Sequence, residues 1–354
     1  MADGSEAEIL FERRGAAGLV TLNRPKALNA LTLPMVRALH AQLDAWGRDD
    51  AVTRVVLRGA GGRAFCAGGD IRQIYALAKA GDDRAVADFW LGEYALIAAV
   101  QRFPKPYISL IQGIVMGGGV GVSLHGSHRV ASEATALAMP EVGIGLFPDV
   151  GMTYTLPRLP GRTGTYLALT GARIGPGDAR AVGLATHFAR AADFEAIVEG
   201  LAAGGAVESV LEGHAAPGPE TGPLVGERGT IDACFSGESV LDVLGRLDVA
   251  ASCGSVFAVE TAALIRARSP TSLCIAREQM RRGPELSFAE AVLTEWRLAT
   301  RLMRGEDFFE GVRAAVVDKD GCPHWRPATL EAVDPGAISA MFEPMDGAEP
   351  NFDA

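Results

Sequence analysis

Long apolar runs and an excess of positive charge are both missing from this chain. No stretch of about 18 apolar residues occurs in its 354 residues, so we predict no membrane-spanning helix. The acidic N-terminal residues 1–14 lack an apolar core, which predicts neither a secretory signal nor a transit peptide. The formal net charge is −10, and this argues against non-specific binding of nucleic acid.

Cysteines are few and are not paired in sequence. The five of them are scattered, and none forms a C-x-x-C pair. An odd, unpaired set is typical of a reducing compartment, so we expect a cytoplasmic protein.

Several catalytic motifs are absent as well. The sequence has no G-x-S-x-G elbow, no H-E-x-x-H, no P-loop and no G-x-G-x-x-G, which disfavours serine hydrolases, zinc proteases, NTPases and dinucleotide enzymes. His125 and His128 make a lone H-x-x-H, which we interpret as the end of a helix because no third metal ligand accompanies it. We therefore predict no metal site.

What the chain does contain predicts an α/β fold. Its 48% hydrophobic and 21% charged residues are typical of a globular protein with a substantial core. A hairpin is expected over residues 9–22, and a helix capped by Thr32 follows it. Twice thereafter a buried strand leads through a glycine-rich loop into a helix, with Asp70 as the expected cap of the first of these helices.

Composition also predicts how the chain is divided. We predict an α/β core over 1–202, a Gly/Pro-rich linker over 203–229, a mostly helical C-terminal region over 230–343 and a polar tail over 344–354. In the C-terminal region, Pro270 is expected to start one helix and residues 286–303 to form another.

Two glycine loops are the first candidates for chemistry. The loop 64–70 ends in Gly68-Gly69-Asp70, and the loop 116–119 contains Gly118. Each could direct a backbone N–H at a ligand carbonyl from the start of a helix, and two such donors would form an oxyanion hole. The simpler alternative for either loop is an ordinary turn between a strand and a helix.

Two acids follow the second loop. Glu141 lies in an otherwise apolar stretch, where burying a carboxylate is costly without a partner or a purpose, and Asp149 follows Pro148. Either acid could instead cap a turn. The prolines and glycines between them rule out one regular helix, so their spacing does not establish that they meet. If they do, their repulsion would raise the proton affinity of one of them. Cys66, in the first loop, is interpreted as a small buried residue rather than a nucleophile.

Taken together, these segments resemble the crotonase (enoyl-CoA hydratase/isomerase) superfamily and, within it, the 3-hydroxyisobutyryl-CoA hydrolases. The resemblance covers nearly the whole chain except the tail and the Gly/Pro-rich stretch. It rests on residues 23–31, 64–71, 113–121, 138–141, 145–151, 156–159, 167–171, 269–273, 303–305, 310–314 and 318–320.

This resemblance implies a crotonase-like spiral of repeated ββα units with a helical C-terminal region. It implies that the N–H groups of Gly69 and Gly118 bind the carbonyl oxygen of an acyl-CoA thioester. Glu141 would be the principal catalytic carboxylate, Asp149 its acidic partner, and Glu93 a substrate contact. The segment Lys26, Ala27 and Leu28 would lie along the CoA. No cofactor is implied, since coenzyme A is part of the substrate, and a homo-oligomer is possible.

One position separates the activities within the superfamily. Hydratases carry a glutamate shortly after the glycine run, where this chain has Gly121, and they have glycine where it has Asp149. Both departures favour hydrolysis of a short-chain 3-hydroxyacyl-CoA, with 3-hydroxyisobutyryl-CoA of valine breakdown as the expected substrate. The alternatives are an enoyl-CoA isomerase or hydratase of the same superfamily, and a non-catalytic acyl-CoA-binding protein.

Overall fold

The structure is a computed structural model that describes residues 7–353. Residues 1–6 of the predicted core and residue 354 of the predicted tail lie outside the described residues. The strands are β1 (Ile9–Arg14), β2 (Ala17–Leu22), β3 (Arg54–Gly59), β4 (Ala64–Cys66), β5 (Tyr107–Ile111), β6 (Ile114–Met116), β7 (His128–Ala131), β8 (Ala136–Ala138) and β9 (His187–Phe188).

Helices account for most of the remaining chain. They are α1 (Leu33–Arg48), α2 (Ile71–Lys79), α3 (Asp83–Gln101), α4 (Gly118–Leu124), α5 (Met152–Thr155), α6 (Thr163–Thr170), α7 (Pro176–Ala181), α8 (Phe194–Ala202), α9 (Val207–Gly213), α10 (Pro223–Gly226), α11 (Arg228–Cys234), α12 (Val240–Ser252), α13 (Val256–Arg266), α14 (Pro270–Arg282), α15 (Phe288–Leu302), α16 (Glu306–Val312) and α17 (Pro335–Met341). Among residues 7–353, no helix is both long and apolar enough to cross a bilayer.

Two sheets organise the strands. The six-stranded sheet has the order β1-β2-β3-β5-β7-β9, in which β1 and β2 are antiparallel and the later pairs are parallel. The three-stranded sheet has the order β4-β6-β8. From β3 onward, each successive pair of strands (β3 and β4, β5 and β6, β7 and β8) places one strand in each sheet before the chain enters a helix or a 3₁₀ turn, whereas β1 and β2 share one sheet. This confirms the predicted fold of repeated ββα units.

Contacts divide the chain into two units. The first comprises the described part of Met1–Gly69 together with Ala95–Leu137 and Ile174–Gly222. Its core packs apolar residues of the six-stranded sheet against α8 (Leu19, Val56, Ile108, Val130, Ile197, Leu201). The parallel strand β5 is buried along its whole length, as expected where helices cover a parallel sheet.

The second unit comprises Asp70–Tyr94, Ala138–Arg173 and the described part of Pro223–Ala354. It is built from helices, with α6, α5 and α17 packed against α14 or α15. Ser287 and Glu290 form a reciprocal capping box at the start of α15, and Ser269 caps α14 ahead of Pro270. The predicted starts of these two helices are confirmed.

Local signals predicted several helix starts. The side chain of Thr32 accepts from the Met35 N–H, and that of Asp70 accepts from the Gln73 N–H, as expected of N-caps. Helix α3 begins at Asp83, and the Asp82 carboxylate accepts from the Ala85 N–H in its first turn. The H-x-x-H interpretation was half wrong: His125 caps the end of α4, whereas His128 begins β7.

The predicted division of the chain stays a prediction. Residues 203–229, expected to be a linker, contain α9, α10 and the first residues of α11.

Candidate active site

The loop after β4 is held by backbone hydrogen bonds to residues 28 and 31. The Ala67 N–H donates to the Leu28 carbonyl (3.0 Å), and the Gly68 carbonyl accepts from the Leu31 N–H (2.8 Å). Gly68 has φ +107°, a conformation that favours glycine. Within residues 7–353, the Gly69 N–H has no hydrogen-bond acceptor.

The turn after β6 is similar. Gly117 (φ +46°) precedes α4, and its carbonyl accepts from the N–H groups of Val120 and Gly121. Gly118 is buried at the first helical position, where an N–H has no partner within the helix. Its N–H, too, lacks an acceptor in the described part of the chain.

These two turns pack directly against each other. A Cβ on Gly68 would lie 3.2 Å from the Met116 oxygen and 3.5 Å from the Gly118 nitrogen. A Cβ on Gly119 would overlap the Cys66 carbonyl oxygen. The glycines thus permit a backbone-to-backbone approach that any side chain would prevent, and they bring the Gly69 and Gly118 turns together.

The segment predicted to contact CoA lies beside the first turn. Lys26 and Ala27 are exposed, and Leu28, whose carbonyl accepts from Ala67, has φ +52°. The next residue, Asn29, is fixed in place because its side chain donates to the carbonyls of Ala60 and Ala64. Residues 26–28 and the Gly69 turn are therefore neighbours within the first unit.

Glu141 is held in a buried turn of the second unit. It begins the 3₁₀ turn Glu141–Gly143, and only 7% of its surface is exposed. Its own carbonyl accepts from Ile144 and Leu146, while the Ser269 N–H ties the Val142 carbonyl to the start of α14. The Glu141 Oε2 atom has no partner among the described residues.

Asp149 occupies the next turn, between Pro148 and α5. Its carboxylate is buried, and Oδ2 accepts from the Tyr94 hydroxyl (2.9 Å). Val150 has φ +53° and Gly151 has φ +87°, so two successive residues adopt the left-handed conformation. For a β-branched residue this is strained, at a cost of about 1–3 kcal/mol.

A third carboxyl group joins these two. Glu93, on α3, is 1% exposed, and its Oε1 atom has no partner within residues 7–353. Burial raises the pKa of Glu93 well above its usual value, and the charge of Asp149 raises it further. The same two causes raise the pKa of Glu141, with a smaller contribution from Glu93.

Asp149 is the group of this cluster that titrates near neutrality. Burial raises its pKa to about 7, while the Tyr94 hydroxyl and its own backbone N–H oppose the increase. Glu141 and Asp149 therefore do interact, which their spacing alone did not establish. Burial therefore raises the pKa of all three carboxyl groups, a pattern that is common in acid–base sites.

Three residues of this site were not found from the sequence: Tyr94, Gln279 and Glu295. Gln279 donates to the Pro148 carbonyl, and Glu295 accepts from the Gly151 and Thr153 amides. Glu295 could have been found from its position in the sequence, because it lies on the apolar face of α15 between Val292 and Leu298. A charged residue on a buried helix face indicates a buried partner.

Cys66 is buried on β4, and its thiol donates to the Gly68 carbonyl. This agrees with its interpretation as a small buried residue.

Comparison with known proteins adds independent evidence. A family model described as enoyl-CoA hydratase/isomerase matches residues 17–342. The 3-hydroxyisobutyryl-CoA hydrolases of Danio rerio and Rattus norvegicus, both named mitochondrial, are 42% and 43% identical over 98% of this chain and cover 92% and 91% of their own lengths. A solved structure described as a carnitinyl-CoA dehydratase from Mycobacterium thermoresistibile is 42% identical, with a TM-score of 0.91 over 98% of both chains. The chain belongs to the enoyl-CoA hydratase/isomerase family.

Proposed function

We propose that this chain hydrolyses a short-chain 3-hydroxyacyl-CoA thioester, with 3-hydroxyisobutyryl-CoA as the substrate and 3-hydroxyisobutyrate and CoA as the products. The names of the relatives at 42% and 43% identity support the substrate. That reaction belongs to valine breakdown. The observation that carries the proposal is the buried acid pair, in which the charge of Asp149 raises the pKa of Glu141.

In the proposed mechanism, the thioester carbonyl oxygen accepts from the Gly69 and Gly118 N–H groups. Both groups lack an acceptor within residues 7–353, which supports this role. Negative charge grows on that oxygen as the carbonyl is attacked, and aimed amides stabilise it. The reaction needs neither a metal nor a redox cofactor, because the amides polarise the carbonyl.

Glu141 acts as the nucleophile or as the general base. Its carboxylate either adds to the carbonyl carbon, giving an acyl-enzyme anhydride that water cleaves, or removes a proton from the water that attacks. In both routes the C–S bond breaks, CoA leaves as a thiolate that takes up a proton, and a water oxygen enters the products. If water cleaves the anhydride at the Glu141 carboxyl carbon, a single turnover in ¹⁸O-water leaves the acid unlabelled and the label on Glu141, whereas direct attack of water on the thioester labels the acid.

Asp149 is the proposed general acid. With a pKa of about 7 it holds a proton in part of the molecules at neutral pH, which supports a role in protonating the departing thiolate. Its second role is to orient the 3-hydroxy group or the water. Glu93, buried with one oxygen unpartnered, supplies a contact for the substrate hydroxyl.

The direct test is the substitution Glu141→Gln. We expect thiol release to fall by about 100- to 10,000-fold, the usual contribution of a positioned acid or base, while calorimetry still detects binding of the CoA ester. Near-normal turnover by this variant would refute the role of Glu141.

A second candidate function is hydration or isomerisation of an enoyl-CoA. The solved relative described as a carnitinyl-CoA dehydratase favours it, as does a 40%-identical structure described as an enoyl-CoA hydratase from Rhodobacter sphaeroides. Gly121 argues against hydration, since it offers no second acid after the glycine run. Loss of the enoyl absorbance without thiol release would identify this activity, and binding with no product would identify a non-catalytic acyl-CoA-binding protein.

Compartment and assembly are separate parts of the proposal. All five cysteines are free, as suits a reducing compartment, and we propose the cytoplasm, whereas the relatives named above are mitochondrial. Fractionation of the source cells tests this. We propose no nucleic-acid or membrane partner, and a homo-oligomer that light scattering would detect.

A further inference from the structure

The turn that carries Asp149 is fixed from outside by the last helices of the chain. From α14, the Gln279 Nε2 group donates to the Pro148 carbonyl (2.9 Å) and to the Thr153 hydroxyl (2.6 Å). Gly283, just beyond α14, lies so close to the Thr153 carbonyl that a Cβ there would overlap it. Residues on both sides of Asp149 are thus attached to one helical frame.

Glu295 of α15 accepts two further hydrogen bonds from this turn. Its Oε2 atom accepts from the Gly151 N–H (2.7 Å) and its Oε1 atom from the Thr153 N–H (2.8 Å). The side chain is fully buried. Burial raises the pKa of this carboxyl group, and the two amide hydrogen bonds oppose the increase. One carboxyl group therefore satisfies two donors that the start of so short a helix leaves unpaired.

The turn needs such support because it is strained. Val150 follows Asp149 directly and adopts φ +53°, which a β-branched residue avoids. Strained backbone persists only where its surroundings hold it. If the two amides lost their acceptor, the turn could relax, and the Asp149 carboxylate would move away from the Tyr94 hydroxyl.

We propose that Glu295 is a positioning residue, whose carboxylate holds the turn 149–153 in the conformation that points Asp149 into the active site. The inference rests on the proposed function, in which Asp149 takes part in thioester cleavage.

The test is the substitution Glu295→Gln in two backgrounds. Glutamine has one acceptor oxygen, whereas each of the two amides needs its own. The turn should therefore loosen although the side-chain length is unchanged. We expect kcat for thiol release to fall about 10- to 100-fold, the equivalent of one or two hydrogen bonds, with KM nearly unchanged. In the Asp149→Asn background the same substitution should lower kcat by less than about 3-fold, because residues that act as a unit are not additive. An equal loss in both backgrounds would show a general structural effect and overturn the proposal.

A matched control comes from the same helix. Glu290 is an exposed glutamate that also accepts from a backbone N–H, that of Ser287. Glu290→Gln should leave kcat unchanged. Glu295→Asp withdraws both acceptor oxygens by one methylene, so it serves in the same two backgrounds if Glu295→Gln does not fold; an equal loss of kcat with and without Asp149 would contradict the proposal.

Amide hydrogen exchange gives a readout that does not depend on turnover. In Glu295→Gln the amides of Gly151 and Thr153 should exchange at least about 10-fold faster than in the parent chain, with no change in Glu290→Gln. Unchanged exchange would overturn the inference. If the parent chain releases no thiol but the two amides still exchange faster in Glu295→Gln, the proposed function is refuted and the role of Glu295 in the turn is supported.

Discussion

Unpartnered oxygen atoms are the most informative features at the scale of single residues. Glu93 Oε1 and Glu141 Oε2 are buried without partners among residues 7–353. Such atoms cost about 1–3 kcal/mol each, which a folded protein does not accept without a use for them. A substrate that brings hydroxyl or water donors into the site would satisfy both. We therefore expect the substrate of the proposed reaction to supply these donors.

The electrostatic link between the two acids predicts a shift in pH dependence. The charge of Asp149 raises the pKa of Glu141, so Asp149→Asn should lower that pKa toward its usual value. Glu141 would then be ionised at lower pH, and the acidic limb of kcat/KM against pH should move to lower pH while the maximal rate falls. An acidic limb that stays in place would show that Glu141 and Asp149 do not titrate together.

Single residues were predicted from sequence only where the signal is local. Glu141 and Asp149 stood out because carboxylates are rare in apolar stretches. Tyr94 and Glu295 did not, since their partners lie 55 and 144 positions away along the chain. Such pairs form only when tertiary packing brings distant helices to one turn.

At the scale of elements, the two glycine turns depend on each other. The space that a Cβ on Gly119 would occupy is already filled by the Cys66 carbonyl and Cβ. The turns therefore approach closely only because this position lacks a side chain.

Gly119→Ala should force the turns apart. We expect the free energy of unfolding to fall by about 1–3 kcal/mol, as overpacked sites do, and thiol release to fall with it because the Gly118 amide moves. Gly245→Ala is the matched control: this glycine lies within α12, where an added Cβ meets nothing within 4 Å, so alanine should stabilise the chain by about 0.5–1 kcal/mol. Urea unfolding and the thiol assay measure both; equal behaviour of the two variants would contradict this account of the turns.

Element starts were well predicted because they are set by local chemistry. Thr32, Asp70 and Pro270 each mark the start of a helix. The segment 203–229 shows the limit of composition, since glycine and proline there suggested a linker and the structure forms α9 and α10. Contacts along the rest of the chain, such as Leu211 in the core of the first unit, override the weak local preference.

At the scale of the whole molecule, the buried acids give stability an unusual pH dependence. Burial raises the pKa of Asp149 to about 7 and that of Glu295 to about 8, and it raises those of Glu93 and Glu141 as well. In the unfolded chain these groups titrate near pH 4. Their stabilising contribution is therefore complete below about pH 4 and is lost as the pH rises toward 8.

Glu93→Gln tests whether a raised pKa makes the parent chain less stable as the pH rises. Glutamine cannot ionise, so the variant should gain stability relative to the parent chain as the pH rises above about 5, by at most about 1.4 kcal/mol per pH unit. Glu290→Gln is the control, because the Ser287 backbone N–H lowers the pKa of Glu290 and no such gain is expected. Chemical unfolding at a series of pH values measures both; a stability difference that is constant across that range would contradict the assignment of a raised pKa to Glu93.

The central claim is that this member of the enoyl-CoA hydratase/isomerase family cleaves a thioester rather than adding water to a double bond. In the most direct measurement, purified chain is incubated with 3-hydroxyisobutyryl-CoA or with a short 2-enoyl-CoA, and free thiol and enoyl absorbance are followed together. We expect rapid thiol release from the hydroxyacyl ester, little loss of enoyl absorbance from the enoyl ester, and loss of thiol release in Glu141→Gln. Rapid hydration of the enoyl ester with no thiol release would contradict it.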